Sequence, residues 1–276
     1  MNKLMKTIFN NVREKNPLIH NITNYVTVND VANALLACGG SPIMADEPAE
    51  VEDITSICGG LNLNIGTLNS RTIQAMLLAG KKSNELKHIV LLDPVGAGAS
   101  PLRTDTALKI MQEIELDAIR GNISEIKTLH AGSGTTEGVD ASEVDAINEE
   151  NLNQAVLMCK EFAQTTGSII IITGAIDLVS DKNKCYVIRN GRPEMPRITG
   201  TGCQLSGLTT AFLVANPEHK LEAAATAVCL MGLAGEIGHA NLLTGDGNST
   251  YRNRIIDAIY NMTAEQLIEG ANYELK

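Results

Sequence analysis

Tryptophan is missing from this sequence, and Phe and Tyr together bring the aromatics to only 3% of 276 residues. A core must therefore be assembled from Ala, Val, Ile, Leu and Met, and few rings are left to stack on nucleic acid bases. Positive charge is in deficit. Lys and Arg number 22 against 32 Asp and Glu, a formal net charge of −10, which repels phosphate backbones at long range and argues against DNA or RNA as a partner. A small phosphate ligand stays compatible, because a helix N-terminus or a metal ion reverses the field locally. The six cysteines, at 38, 58, 159, 185, 203 and 229, include no C-x-x-C pair, so a zinc ribbon or dithiol redox centre is excluded. Long apolar runs are absent too. Ala223–Gly235 is interrupted by Glu236, short of the roughly 20 residues that span a bilayer. Met1–Lys15 is polar and amphipathic, unlike a secretory leader. These features predict a cytoplasmic protein with reduced thiols and no membrane partner. The standard nucleotide and hydrolase signatures G-x-x-x-x-G-K-[ST], G-x-G-x-x-G, G-x-S-x-G and H-E-x-x-H are likewise missing.

What is present is a rhythm. Short aliphatic runs, such as Leu61–Ile65, His88–Pro94 and Ser168–Thr173, alternate with helical segments. Helices are expected over Val28–Ala37, Ser70–Ala79 (with Gly80 as its stop), Arg103–Leu116, Leu152–Thr165, Gly202–Ala215 and Leu221–Ala240. Asp177–Ser180 and Lys184–Arg189 read as a hairpin. Without a low-complexity linker or a repeat, the chain is expected to form one domain over residues 1–276. Continuous β-branched strands separated by helices predict an α/β fold, a mostly parallel central sheet covered by helices on both faces. Ligands of such sheets bind beyond the carboxyl ends of the strands. That singles out Asn24, Met44, Gly66, Thr67, Asp93, Asn122, Thr173 and Gly174, although any one of them alone is an ordinary turn residue.

Two constellations carry chemistry. In Thr199-Gly200-Thr201-Gly202-Cys203, two glycines let backbone N–H groups turn toward one point, and a helix follows whose free amides and dipole favour an anion. Such a site suits a phosphoryl group in transit, and a thiol there should have a lowered pKa. A plain glycine-rich helix entry with a buried Cys203 explains the same residues. In Asn122-Ile123-Ser124-Glu125, an amide and a carboxylate share one side of a first helical turn. Glu125 with Asp93 could hold Mg²⁺ through water, or Asn122 and Glu125 could simply cap the helix.

The chain resembles the hydroxyethylthiazole kinases of the ribokinase-like superfamily. The resemblance begins at Pro17-Leu18-Ile19-His20-Asn21-Ile22-Thr23-Asn24-Tyr25-Val26 and continues through Ser41-Pro42-Ile43-Met44-Ala45, Leu63-Asn64-Ile65-Gly66-Thr67-Leu68 and Leu92-Asp93-Pro94-Val95-Gly96-Ala97. It closes with Arg120-Gly121-Asn122-x-x-Glu125, Thr173-Gly174 and Gly200-Thr201-Gly202-Cys203. Most ribokinase-like kinases carry Asp where this chain has Cys203. The resemblance implies a ribokinase-like three-layer α/β/α sandwich and transfer of a phosphoryl group from ATP, with Mg²⁺, to the primary alcohol of 4-methyl-5-(2-hydroxyethyl)thiazole. It implies a homotrimer. It further implies Asn24, Met44, Gly66, Thr67 and Gly200 near the thiazole, Arg120 and Thr173 on ATP, and Asp93, Asn122 and Glu125 around Mg²⁺ and phosphates. Gly200, Thr201 and Gly202 would form the anion hole, with Cys203 facing the alcohol as base or orienting group.

Overall fold

The computed structural model describes residues 1–132 and 146–276. Among these residues nine strands form one sheet in the order β2-β1-β3-β4-β5-β6-β7-β8-β9. They are β1 (Leu18–Ile22), β2 (Ser41–Met44), β3 (Gly60–Asn64), β4 (Ile89–Asp93), β5 (Ala118–Asn122), β6 (Ile169–Thr173), β7 (Asp177–Ser180), β8 (Cys185–Ile188) and β9 (Tyr273–Leu275). The first six run parallel, and β7, β8 and β9 add antiparallel pairs at one edge. The expected hairpin is therefore present, while β9 was not anticipated. A three-residue strand near the end of the chain offers too little periodicity to be read locally, and it exists because β8 leaves an edge to pair with.

Helices α1 (Asn2–Lys15), α2 (Val28–Cys38), α8 (Thr201–Ala215), α9 (Lys220–Ala240), α10 (Asn248–Asn261) and α11 (Ala264–Gly270) pack against one face. Helices α3 (Val51–Ile57), α4 (Ser70–Leu86), α5 (Pro101–Glu113), α6 (Ile123–Gly132) and α7 (Leu152–Thr166) cover the other. The strands serve both layers by simple alternation. Leu91 enters the first core, while Val90 and Leu92 enter the second. The three-layer sandwich expected from the alternating pattern is what the chain forms.

Several helix boundaries differ from the sequence reading, those of α4 and α5 among them. Gly80 does not end α4, which continues to Leu86. A Cβ on Gly80 would lie 2.1 Å from Ile114 Cδ1, so this glycine lets α4 pass close to the end of α5. α5 starts at Pro101 rather than Arg103, with the Ser100 hydroxyl accepting from Arg103 N, the usual chemistry of a Ser cap followed by Pro. The apolar stretch around α9 is also longer than the sequence reading made it. Residues 217–240 are long and apolar enough to cross a bilayer, but they are mostly buried inside the protein, as the central helix of a core is.

Strand order reverses between β1 and β3, since β2 lies outside β1 and β3 inside it. Sheets of this kind bind ligands in the crevice at such a reversal. Here the loops after β1, β3, β4, β5 and β6 converge on the N-terminus of α8.

Candidate active site

The amino end of α8 is the centre of this crevice. Gly200 caps it at φ +86°, in the left-handed region. A Cβ there would also come within 2.4 Å of Thr27 Cγ2, so glycine is required twice over. The first helical bond is Gln204 N to Gly200 O at 2.9 Å. The N–H groups of Thr201, Gly202 and Cys203 precede that bond and lie at the helix end, where an α-helix leaves its first amides without helical partners. Arg120, from β5, lies directly over Gly202: an added Cβ would meet its Nη1 at 2.5 Å. The guanidinium donates to Thr173 Oγ1 and stands 3.6 Å from Asp93 Oδ1. The amides of a helix start and a permanent cation thus meet at one spot, the arrangement that an anion seeks.

A cavity of about 590 Å³ opens beside them. Its polar end is formed by Arg120, Thr173, Gly174, Asp177, Thr201 and Gly202, and Leu205, Val228 and Met231 supply an apolar wall. Asp177 Oδ1 accepts the Gly174 N–H at 2.8 Å. Burial pushes this carboxyl up to about 7, against the opposing pull of the Gly174 amide and of Arg120. A larger depression of about 1210 Å³ lies at the opposite, amino end of the strands, lined by residues such as His88, Asp117 and Lys220. Lys220 there pairs with Asp117 at 2.6 Å, and none of the sequence-derived candidates reaches it.

Behind the helix end runs a buried polar network. Asn64, the last residue of β3, lies beside Asp93 in the parallel register and donates to Asp93 Oδ2 at 2.8 Å. Ser206, one turn into α8, donates to the same oxygen at 2.7 Å. Asp93 Oδ1 is buried without a hydrogen bond. Burial raises the Asp93 pKa, opposed by Arg120, Ser206 and Asn64. Asn24 Nδ2 reaches Asn64 Oδ1 at 2.9 Å and Cys203 Sγ at 3.2 Å. Thr67 Oγ1 accepts from Tyr25 N at 3.2 Å, holding the loops after β1 and β3 together. Arg103 ties the next pair of loops, donating to Gly66 O at 2.7 Å and Val95 O at 2.8 Å.

The expectation of a lowered Cys203 pKa is overturned. Burial, reinforced by the nearby Asp93, pushes the thiol up; donors from Thr27 and Asn24 and the charge of Arg120 only partly offset this. The helix end does not win because the sulfur sits beneath it among buried groups, 8% exposed, rather than in front of it.

Asn122 and Glu125 form a reciprocal cap: Glu125 N donates to Asn122 Oδ1 at 2.9 Å and Asn122 N to Glu125 Oε2 at 2.8 Å. Glu125 Oε1 additionally accepts Gly96 N at 2.8 Å, so the capping role is real and extends to the loop after β4. Burial raises the Glu125 pKa, with Asp93 contributing in the same sense. A divalent cation fits these residues. Asp93 Oδ1 is an orphaned buried oxygen, two neighbouring carboxyls both resist ionisation, and no three His, Cys, Asp or Glu side chains form a cage among the described residues. Mg²⁺ commonly binds through one or two carboxylates, water and phosphate rather than a full protein cage.

Of the candidates from the sequence, the structure brings together Asn24, Gly66, Asp93, Arg120, Asn122, Glu125, Thr173 and residues 200–203. Met44 ends the edge strand β2 beside Asn21 of β1, half-buried against the core and outside the polar network. Sequence reasoning gave no role to Asn64, Ser206, Arg103 or Asp177. Asn64 carried a signal, an amide at the end of a wholly buried strand, where a polar group needs partners. Ser206 lies three residues after Cys203, hence on the same helix face.

Residues 9–265 match the hydroxyethylthiazole kinase family. A hydroxyethylthiazole kinase of Clostridium acetobutylicum is 56% identical over 98% of this chain and 99% of its own length. One of Clostridium tetani is 44% identical over 94% of each. The solved hydroxyethylthiazole kinase of Pyrococcus horikoshii superposes with a TM-score of 0.88 at 31% identity, covering 99% of both chains. The pyridoxal kinase of Staphylococcus aureus in complex with ADP shares the fold, with a TM-score of 0.57 at 15% identity over 80% of this chain and 87% of its own. With a match of this extent, on a ribokinase-like sandwich whose glycine-capped helix, arginine and paired carboxyls meet in one crevice, the chain belongs to the hydroxyethylthiazole kinase family.

Proposed function

We propose that this protein, as a single domain, transfers the γ-phosphoryl group of ATP to the primary alcohol of 4-methyl-5-(2-hydroxyethyl)thiazole, a step in making or salvaging thiamine. The observation that carries the reading is the end of α8, where the first-turn amides of Thr201, Gly202 and Cys203 lie beside the Arg120 guanidinium. Phosphoryl transfer through a loose transition state asks for positioning and charge neutralisation more than covalent chemistry.

In this reading the three amides and Arg120 bind the phosphate oxygens, and Thr173 keeps the guanidinium aimed. The apolar wall of Leu205, Val228 and Met231 accommodates the nucleotide base. Asn24, Met44, Gly66, Thr67 and Gly200 surround the thiazole, with Met44 as a soft contact for a methylated ring. Asp93 and Glu125 would hold Mg²⁺ through water, with Asn122 keeping Glu125 in place; the ion would supply neutralisation of phosphate charge. Cys203 faces the alcohol. With its pKa raised, it stands as a neutral thiol that orients the hydroxyl rather than as a resident thiolate base, and a loose transition state asks little of a base. The working form is a homotrimer in the cytoplasm, a reducing compartment that suits six free, buried cysteines.

A coupled assay of ADP release over a panel of small alcohols tests the reading. The expected result is ATP consumption that requires the thiazole alcohol and exceeds that with a hydroxymethylpyrimidine. Turnover independent of any alcohol, or preference for hydrated NADH as in an ATP-dependent dehydratase, would sink it.

A further inference from the structure

The two buried asparagines have orientations that backbone groups dictate. Thr27 N donates to Asn24 Oδ1 at 3.1 Å, so the Asn24 amide nitrogen must face the other way. Gly66 N donates to Asn64 Oδ1 at 3.0 Å, with the same consequence for Asn64. A backbone N–H cannot accept, so neither side chain can flip without burying two donors face to face. The Asn64 nitrogen then places one hydrogen on Asp93 Oδ2, at 2.8 Å, and the other on Cys203 Sγ, at 3.3 Å. Asn24 adds a second N–H to the same sulfur, at 3.2 Å. Asn64 is itself 1% exposed, and every donor and acceptor it carries is used.

From this geometry we infer that Asn64 is a positioning residue: one amide fixes the spacing between the Cys203 sulfur and the Asp93 carboxylate and, together with Asn24, presents the sulfur with two N–H donors. The inference rests on the kinase reading for its catalytic consequence and stands on the hydrogen bonds for its structural part. Two donors favour the thiolate over the thiol, opposing burial and the field of Asp93, so they set how much of the sulfur is ionised at a given pH, and they hold it where it can orient the alcohol. The charged groups around the sulfur are Asp93 from β4 and Arg120 from β5; Thr27, at the entry to α2, contributes a neutral hydroxyl. Sharing Asn64 also means that the thiol and the carboxylate move together when the loop after β3 moves, because Gly66 belongs to that loop.

The test uses the full-length protein and two variants, Asn64→Asp, which keeps the shape but replaces the donor by an acceptor, and Asn64→Ser, which shortens it. The rate of Cys203 alkylation by iodoacetamide at one fixed pH is read by peptide-resolved mass spectrometry, beside kcat and the KM for ATP. Loss of a donor should slow alkylation, by about tenfold in Asn64→Asp and less in Asn64→Ser. kcat should fall at least about 30-fold while the KM for ATP stays within roughly threefold. A role in packing alone predicts the opposite sign, since a loosened site exposes the sulfur and speeds alkylation. Faster or unchanged alkylation, or an unchanged kcat, overturns the inference. If Asn64→Asp does not fold, Asn64→Ser decides. Should the parent protein show no turnover with the thiazole alcohol, the kinase reading fails by itself, and the sign of the alkylation change still decides whether Asn64 serves the sulfur.

Discussion

The Cys203 sulfur is held by donors on two sides and faces a buried carboxylate, which frames what a substitution there will do. Aspartate at this position would accept the same Asn24 and Asn64 hydrogens and restore the group that related kinases carry, so Cys203→Asp should keep or raise kcat. A loss beyond about 100-fold, roughly 2.7 kcal/mol, would contradict this. Cys203→Ala should weaken turnover without abolishing it, because the amides and Arg120 remain. Asp177 supports a second expectation. Its carboxyl, at about 7, lines the cavity proposed for the nucleotide. Below that pH it is neutral, and above it a negative charge faces the incoming phosphates. The KM for ATP should therefore rise from pH 6 to pH 8 in the parent protein more than in Asp177→Asn, by about threefold in the ratio. A constant ratio would remove Asp177 from the site. The difference between these residues and those legible in the sequence is physical. Glycines, Arg120 and Asp93 announce themselves because turns and strand ends need few residue types. Asn64 and Asp177 gain meaning only through partners 29 and 3 residues away, and the rise of the Cys203 pKa depends on burial that no local pattern reports.

Helix ends set the geometry at the next scale, and the start of α8 is the element on which the site turns. Alternating aliphatic runs and glycine stops located the strands and most helices, because a parallel strand buried on both faces is apolar throughout. Gly80 misled for the converse reason. A glycine inside a helix signals a stop to sequence reading, but here it is excused by contact with Ile114 across the α4–α5 interface. Gly202 is the same kind of residue with a functional neighbour. In Gly202→Ala the methyl group would meet Arg120 Nη1 at 2.5 Å and Nη2 at 2.6 Å, so the guanidinium must leave Thr173 or Asp93. Alanine is favoured over glycine by up to about 1 kcal/mol within a helix, so stability should hold. The expected result is a KM for ATP raised about tenfold with a melting temperature within a few degrees of the parent. A KM changed less than twofold would show that Arg120 does not need its place over the helix end.

At the scale of the whole molecule, the sheet ends in the short antiparallel β9 on one side and in the parallel β2 on the other. All four residues of β2 are only partly buried, and Tyr25 and Val26, at the turn after β1, are 79% and 58% exposed. An open parallel edge beside exposed apolar side chains is a pairing surface that proteins normally blunt or cover. The proposed trimer would cover it. Opposing association is a formal charge of −10 on each chain, a repulsion that acts over roughly a Debye length and weakens as salt rises. Sedimentation at physiological salt should thus give three times the 29.4 kDa of the chain, and lowering the salt should shift the population toward single chains. Replacing both Tyr25 and Val26 by Glu adds charge to that surface and removes its apolar contact, so the double variant should sediment as single chains at every salt concentration while retaining its far-ultraviolet circular dichroism. A parent protein that sediments at 29.4 kDa regardless of salt would refute the assembly and leave the open edge to be explained by its short length alone.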